Sequence, residues 1–225
     1  GTYTNGAYDT ATLEIKDENR DPPKNHNPTT TPAGKLTIEK NEETLKVASA
    51  DGTWPYDNTT HTKQVYTVTY GDEVIEGTEG QTEFTLSTGD KVTVTPTEKG
   101  ANGVKNVSDS GANSFTWTVE NESGYTKGED TVGTLTITKV DVTITMDDRT
   151  LPYNGETQYG WTRTDEGKET VTGLVNNETV TITYTPSSGK TVGTYTNGAY
   201  DTATLEIKDG NRDVTENYNL TTTTA

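Results

Sequence analysis

A chain of 225 residues with 18 Lys and Arg against 35 Asp and Glu, a net charge of −17 and no cysteine excludes several classes at once. Nucleic acid and anionic membrane both need a basic surface, disulfides and thiolate metal sites need cysteine, and no apolar run approaches the ~20 residues of a membrane-crossing helix. Only 27% of residues are hydrophobic, a leaning toward disorder, but nearly a quarter are Thr, which with Val, Ile and Tyr falls at alternating positions and suits a pleated surface.

In chain order, Ala11, Leu13 and Ile15 alternate with Thr12, Glu14 and Lys16, the period of a half-buried strand. Residues 17–21 signal a turn. Pro22, Pro23, Pro28 and Pro32 make 21–33 an irregular connection, because proline cannot donate to a strand ladder. Leu36-Thr-Ile38 is a short closing strand. Residues 1–40 are thus expected to be the C-terminal part of a preceding repeat domain.

A first complete β domain is expected at 41–139. Leu45 and Val47 alternate on its opening strand, and Trp54-Pro-Tyr-Asp-Asn58 reads as a turn. Tyr66, Val68 and Tyr70 share a face, as do Phe84 and Leu86, then Val92 and Val94. Phe115, Trp117 and Val119 form the strongest strand, and Leu135 and Ile137 close the domain. Gly71-Asp72, Gly89-Asp90, residues 100–103 and Ser110-Gly111 mark turns. A second β domain is expected at 140–225, lacking its closing strand. Val140, Val142, Ile144 and Met146 alternate, 151–155 is a turn, Tyr159 pairs with Trp161, and Val180, Ile182 and Tyr184 share a face, followed by Ala203, Leu205 and Ile207. Between Ile137 and Val140 the apolar parity switches, which one strand with one buried face cannot survive. The domain boundary is placed there, with almost no linker.

The chain repeats itself. Residues 1–17 and 193–209 are identical, and the ungapped match runs on to Ala33 against Ala225 with 26 identities in 33 positions at an offset of 192. A fixed period marks a tandem array. Within one period Trp54-Pro-Tyr56 lines up with Leu151-Pro-Tyr153, Val92-Thr-Val-Thr-Pro96 echoes Val180-Thr-Ile-Thr-Tyr-Thr-Pro186, and Leu135-Thr-Ile-Thr-Lys139 matches Leu36-Thr-Ile-Glu-Lys40. The unit therefore holds two diverged copies of one fold. Ala33 is followed by Gly34-Lys-Leu-Thr-Ile-Glu-Lys40, so a relative of that heptapeptide is expected to follow Ala225. It would come from one continuous polymer or from the 34–40 strand of another chain; the polymer is favoured, because exchange leaves 1–33 redundant.

Pro152-Tyr-Asn-Gly155, Gly193-Thr-Tyr-Thr-Asn197, Asp213-Val-Thr-Glu-Asn-Tyr-Asn-Leu220 and Gly133-Thr-Leu-Thr-Ile-Thr-Lys139 resemble the tandem bacterial immunoglobulin-like (YDG/MBG-type) repeats of Gram-positive cell-surface proteins. The resemblance covers both domains. It implies an extracellular, surface-borne stalk or adhesin segment and carries no catalytic residues. The first copy departs from it where Asp21-Pro-Pro-Lys-Asn-His-Asn-Pro28 replaces residues 213–220.

Candidate chemistry is thin. His26 stands where the second copy has Tyr218, and His61 lies in a Thr-rich turn with no second His at ligand spacing. Carboxylate pairs (Glu42/Glu43, Glu129/Asp130, Asp147/Asp148, Asp165/Glu166) sit in turn-like settings, without the apolar pocket that glycoside hydrolysis needs. Residues 209–213, and 17–21 before them, alternate side-chain oxygens as Ca²⁺ loops do, but lack the central glycine and the later Glu. An Asp/Asn-capped turn is the simpler reading. Lys46, Gln64 and Gln158 find no partner placed for a self-formed isopeptide or ester link. Trp117 reads as core, Trp161 with Tyr159 likewise, and Trp54 as the most exposed tryptophan.

The expectation is an all-β chain of tandem immunoglobulin-like β-sandwich domains, with a β-grasp-like fold as the architectural alternative. Its function would be that of a non-catalytic structural repeat unit of an extracellular bacterial surface stalk, fibre or filament. The alternative is an adhesin-type binding module for glycans or host proteins. No catalytic, cofactor-binding or metal residues are assigned. The partners would be neighbouring repeats of the same polymer, head to tail, with glycan or host protein as a further possibility, no nucleic acid, and no membrane insertion in this segment.

Overall fold

The computed structural model describes residues 2–3 and 34–223, and there the chain is all-β, with one five-residue helix and three 3-10 turns. The strand expected around Ala11, the connection at 21–33 and His26 lie outside the described residues. Two short strands come first, β1 (Thr2–Tyr3) and β2 (Leu36–Thr37), paired antiparallel with Tyr3 opposite Leu36.

The first half carries β3 (Thr44–Ser49), β4 (Gly52–Pro55), β5 (Tyr66–Tyr70), β6 (Glu73–Glu76), β7 (Glu83–Thr85), β8 (Lys91–Pro96), helix α1 (Glu98–Asn102), β9 (Gly111–Ala112), β10 (Phe115–Val119), β11 (Thr126–Lys127) and β12 (Thr134–Thr138). One sheet runs β11-β3-β5-β6, with β11 parallel to β3; a second runs β10-β8-β7; a third holds β12 between β4 and β9. Strand alternation puts Leu45, Val47, Tyr66, Val68 and Tyr70 of the first sheet and Phe84, Val92, Val94 and Val119 of the second into one buried cluster. The stretch from Trp54, expected as a turn, instead begins inside a strand. β4 lies parallel to β12, with Leu135 opposite Gly52 and Ile137 opposite Trp54, a pairing across more than eighty residues that no local signal carries. Trp117 and Phe115 are half-buried, not core. β10 is an edge strand, so its rings lie against the rim of the cluster. There Trp117 Nε1 donates to Asp130 Oδ2 at 2.7 Å, and the Lys127 ammonium sits 4.6 Å from the ring centre.

The second half follows the same plan with β13 (Val140–Met146), β14 (Gln158–Tyr159), β15 (Glu169–Thr172), β16 (Thr179–Thr185), β17 (Ser188–Gly189), β18 (Ala199–Asp209), β19 (Arg212–Asp213) and β20 (Tyr218–Thr223). β13 pairs antiparallel with β15 and parallel with β20, as β3 does with β5 and β11, and β16 pairs with β18 as β8 does with β10. Among the described residues nothing takes the place of β12. Tyr159, expected in the core, is 57% exposed. β14 is only two residues long and, among the described residues, pairs with β17 alone, so no second sheet of those residues covers it. Ala203 is exposed while Tyr200 and Ile207 are buried. The reason is a bulge: β18 shifts register between Thr181 and Thr183, and an extra stretch of chain flips the inward face. Thr204 Oγ1 holds the bulge, accepting from Thr183 N at 2.8 Å and donating to the Asp201 carbonyl at 2.8 Å.

Candidate functional site

Only Lys139 separates β12 from β13, and side chains from both halves meet around that point. Tyr56, Val104, Leu135 and Ile137 from one side join Val142, Ile207, Val214 and Tyr218 from the other in a single buried cluster. Clusters confined to one half lie on either side of it, one between β3 and β10 and one around Ile144, Met146, Ile182 and Tyr200.

Inside the shared cluster sits a carboxylate. Glu178 is 5% exposed. Tyr56 Oη, from the first half, donates to its Oε1 at 2.7 Å, and Tyr218 Oη donates to Oε2. Val175 N donates to Tyr218 Oη at 2.9 Å, and the two rings meet edge to face at 5.6 Å. A buried, unpaired carboxylate costs several kcal/mol; two phenolic donors offset that. Burial first, then the hydrogen bond to Glu178, pushes both phenols well above the ordinary tyrosine value. A polar rim surrounds this centre. Asn217, fully buried, accepts from Val107 N at 2.8 Å and donates to Asn106 Oδ1 at 3.2 Å; Asn58 donates to Asp209 at 3.0 Å; Arg212 reaches Asn106 and Ser108 reaches Glu216. These bonds all cross between 41–139 and 140–223. The arrangement fixes the two halves against each other.

The second feature is a groove of about 510 Å³ at the far end of the second half, formed by 146–153, 158–161 and 187–195. Large apolar side chains crowd it while facing solvent: Leu151 at 40%, Tyr153 at 65%, Tyr159 at 57% and Val192 at 87% exposed. Trp161 forms part of its wall, with the Arg149 guanidinium 4.3 Å and the Lys168 ammonium 4.9 Å from its ring centre and its Nε1 donating to the Asp148 carbonyl. Tyr195 is tied to Thr191, whose side chain and backbone hydrogen bonds hold the phenol below its ordinary value.

The sequence candidates are scattered. His61 Nε2 contacts Asp57 Oδ1 at 3.0 Å and Thr59 Oγ1 at 3.2 Å, while Thr59 itself donates to Asp57. Three groups converge on one nitrogen and one carboxylate, which closes a turn and leaves no relay from hydroxyl through imidazole to acid. The ring stacks on Trp54 at 5.0 Å. Asp130 clamps Val47 N and Trp117; Asp165 accepts from Thr162 N and Oγ1; Asp213 caps Thr215. Among the described residues no three His, Asp or Glu side chains group as a metal site, and no helix is long and apolar enough to cross a membrane. Glu178 and Asn217 were missed by sequence reasoning, since each sits in a polar stretch that reads as a surface turn. The usable signal was aromatic: Tyr56 and Tyr218 both fall inside the quoted Pro-Tyr and Asn-Tyr-Asn motifs.

Neither a family model, a curated protein nor a solved structure matches this chain.

Proposed function

We propose that the chain is a non-catalytic structural unit of an extracellular bacterial stalk, fibre or filament, built from immunoglobulin-like sandwich halves that join head to tail. The observation that carries this reading is the junction: a one-residue connection, a shared apolar cluster and a buried Tyr-Glu-Tyr bridge hold successive halves at a fixed angle. A spacer needs such stiffness, because a flexible hinge at every junction would let the array coil. The 192-residue period adds the second requirement, a unit that can be strung in series. Two facts favour a sandwich over a β-grasp-like fold. Alternating residues of two sheets fill one cluster in the first half, and the one α-helix among the described residues, α1, is five residues long, too short to cover a sheet. The resemblance of residues 133–139, 152–155, 193–197 and 213–220 to cell-surface repeats supports an extracellular position on a bacterium.

The test is NMR relaxation on the 225-residue chain. A single rotational correlation time for amides on both sides of Lys139 is expected. Separate correlation times for the two halves would refute the stiff-spacer reading. The adhesin alternative draws on the aromatic groove around Tyr153 and Tyr159, and a glycan array read against a Tyr153→Ala variant separates it from the spacer.

A further inference from the structure

We infer that the groove at 147–153 and 187–195 is an acceptor for the β2 segment, Leu36-Thr-Ile-Glu-Lys40, of a second copy of this chain. This deepens the structural-unit reading and rests on it, by naming the contact through which units join. It departs from the expectation that one continuous polymer supplies this strand, because the β12–β4 and β1–β2 registers together seat β2 of a second copy against both edges. The first half supplies the template. There Leu135-Thr-Ile-Thr-Lys139, the internal counterpart of the β2 segment, lies parallel to β4 and antiparallel to β9, with Leu135 and Ile137 0% and 2% exposed and Tyr56 2% exposed nearby. In the second half Leu151-Pro-Tyr153 stands where the first has Trp54-Pro-Tyr56, yet no strand pairs with it among the described residues. Tyr153 is left 65% exposed. At the other end of the chain Leu36 and Ile38 are 61% and 60% exposed. The same sequence pattern is core in one place and surface in the other.

The register follows twice, from independent observations. Carrying the β12–β4 pairing across places Leu36 beside Arg149 and Ile38 beside Leu151, parallel. The β1–β2 pair gives the other edge. Thr2 and Tyr3 are the 192-residue counterparts of Thr194 and Tyr195, and they already pair with Thr37 and Leu36, antiparallel. Transferred, Leu36 lies opposite Tyr195 and Thr37 opposite Thr194. Both registers put Leu36 at one level of the groove, between 149 and 195, as Leu135 lies between Gly52 and Gly111. Both edges, 149–151 and 194–195, line the one cavity. Exchange is easy on the donor side. β2 leaves a Thr-Tyr partner, β1, for an identical Thr-Tyr partner, and gains a second edge and cover for its apolar side chains. An unpaired edge is a ready template for a strand from another chain, and strand addition of this kind is a recurring mode of recognition.

Two exposed-site variants test this without risk to the fold. Leu36→Glu with Ile38→Glu removes the donor; Leu151→Glu with Tyr153→Glu removes the acceptor. By sedimentation the wild-type chain should form open, concentration-dependent oligomers, each variant alone should stay monomeric, and an equimolar mixture should stop at the dimer. A synthetic 34–40 peptide should shift the amides of 149–153 and 194–195 of the ¹⁵N-labelled donor-less variant, and the same peptide carrying Leu36→Glu should bind at least tenfold more weakly. The proposal is overturned if the wild-type chain stays monomeric and the peptide moves no groove amide, if either variant assembles as the wild type does, or if only oligosaccharides move those amides. None of these outcomes touches the junction at Lys139, so the stiff-spacer reading stands or falls separately.

Discussion

Tyr56→Phe is the sharpest probe of the junction. It deletes one oxygen, keeps the ring and its edge-to-face contact with Tyr218, and lies in the first half, while the acceptor, Glu178, lies in the second. A hydrogen bond to a charged group contributes about 1.5–3 kcal/mol. Glu178 stays buried after the change and keeps only the Tyr218 donor on its other oxygen, so a loss of about 2 kcal/mol is expected. Tyr218→Phe should cost a similar amount, because the same carboxylate is left short. The double variant leaves that carboxylate with neither phenol, and the two effects should then exceed their sum by about 0.5–3 kcal/mol, the range for residues sharing one partner. Urea unfolding followed by circular dichroism and tryptophan fluorescence measures all three, since Trp54 and Trp161 report from opposite halves. In the wild type the two signals should share one midpoint, and in the double variant they should separate. A Tyr56→Phe cost below about 0.5 kcal/mol, with coincident midpoints throughout, would refute the claim that this bridge couples the halves.

Tyr56, Tyr218 and Tyr200 are all held above their ordinary value of 10.0 by burial and by Glu178 or Glu169. A raised folded value means stability is fully present below pH 10 and is lost as pH rises through it, by up to about 1.4 kcal/mol per pH unit for each tyrosine; a flat stability profile from pH 9 to 11 would contradict the burial of these phenols. Leu135→Ala should cost about 2–5 kcal/mol as a core truncation, whereas Leu36→Ala, in the same Leu-Thr-Ile context but 61% exposed, should leave the monomer's melting temperature unchanged. Gly173 sits at φ +90° with the Asp141 carbonyl 2.1 Å from where a Cβ would lie, while Gly210 at φ +60° faces open space. Gly173→Ala should therefore destabilise by more than about 2 kcal/mol and Gly210→Ala by about 1 kcal/mol, and equal costs in denaturant melts would disprove the close approach of the 173 turn to β13.

Sequence period alone determined that the chain is all-β and where most strands run. Tyr66, Val68, Val92, Val94, Leu135, Ile137, Val142 and Ile144 alternate with polar residues, and each is buried as alternation requires. The offset of 192 and the parity switch at Lys139 were also legible, because both are properties of letter order. Tertiary structure decided the rest. Which sheet a strand joins depends on partners far along the chain, so β4 hid inside an apparent turn until β12 lay against it. Whether an aromatic is core depends on a second layer above it, so Trp117 on an edge strand and Tyr159 on a two-residue strand stayed outside. Glu178 reads as a surface residue from its neighbours, and only the approach of Tyr56 from 122 residues away makes it the buried bridge between the halves. The same limit governs Leu36 and Leu135: local sequence makes both of them strands, but Leu135 lies between two flanking edges, β4 and β9, and is core, whereas Leu36 pairs with β1 alone among the described residues and is surface.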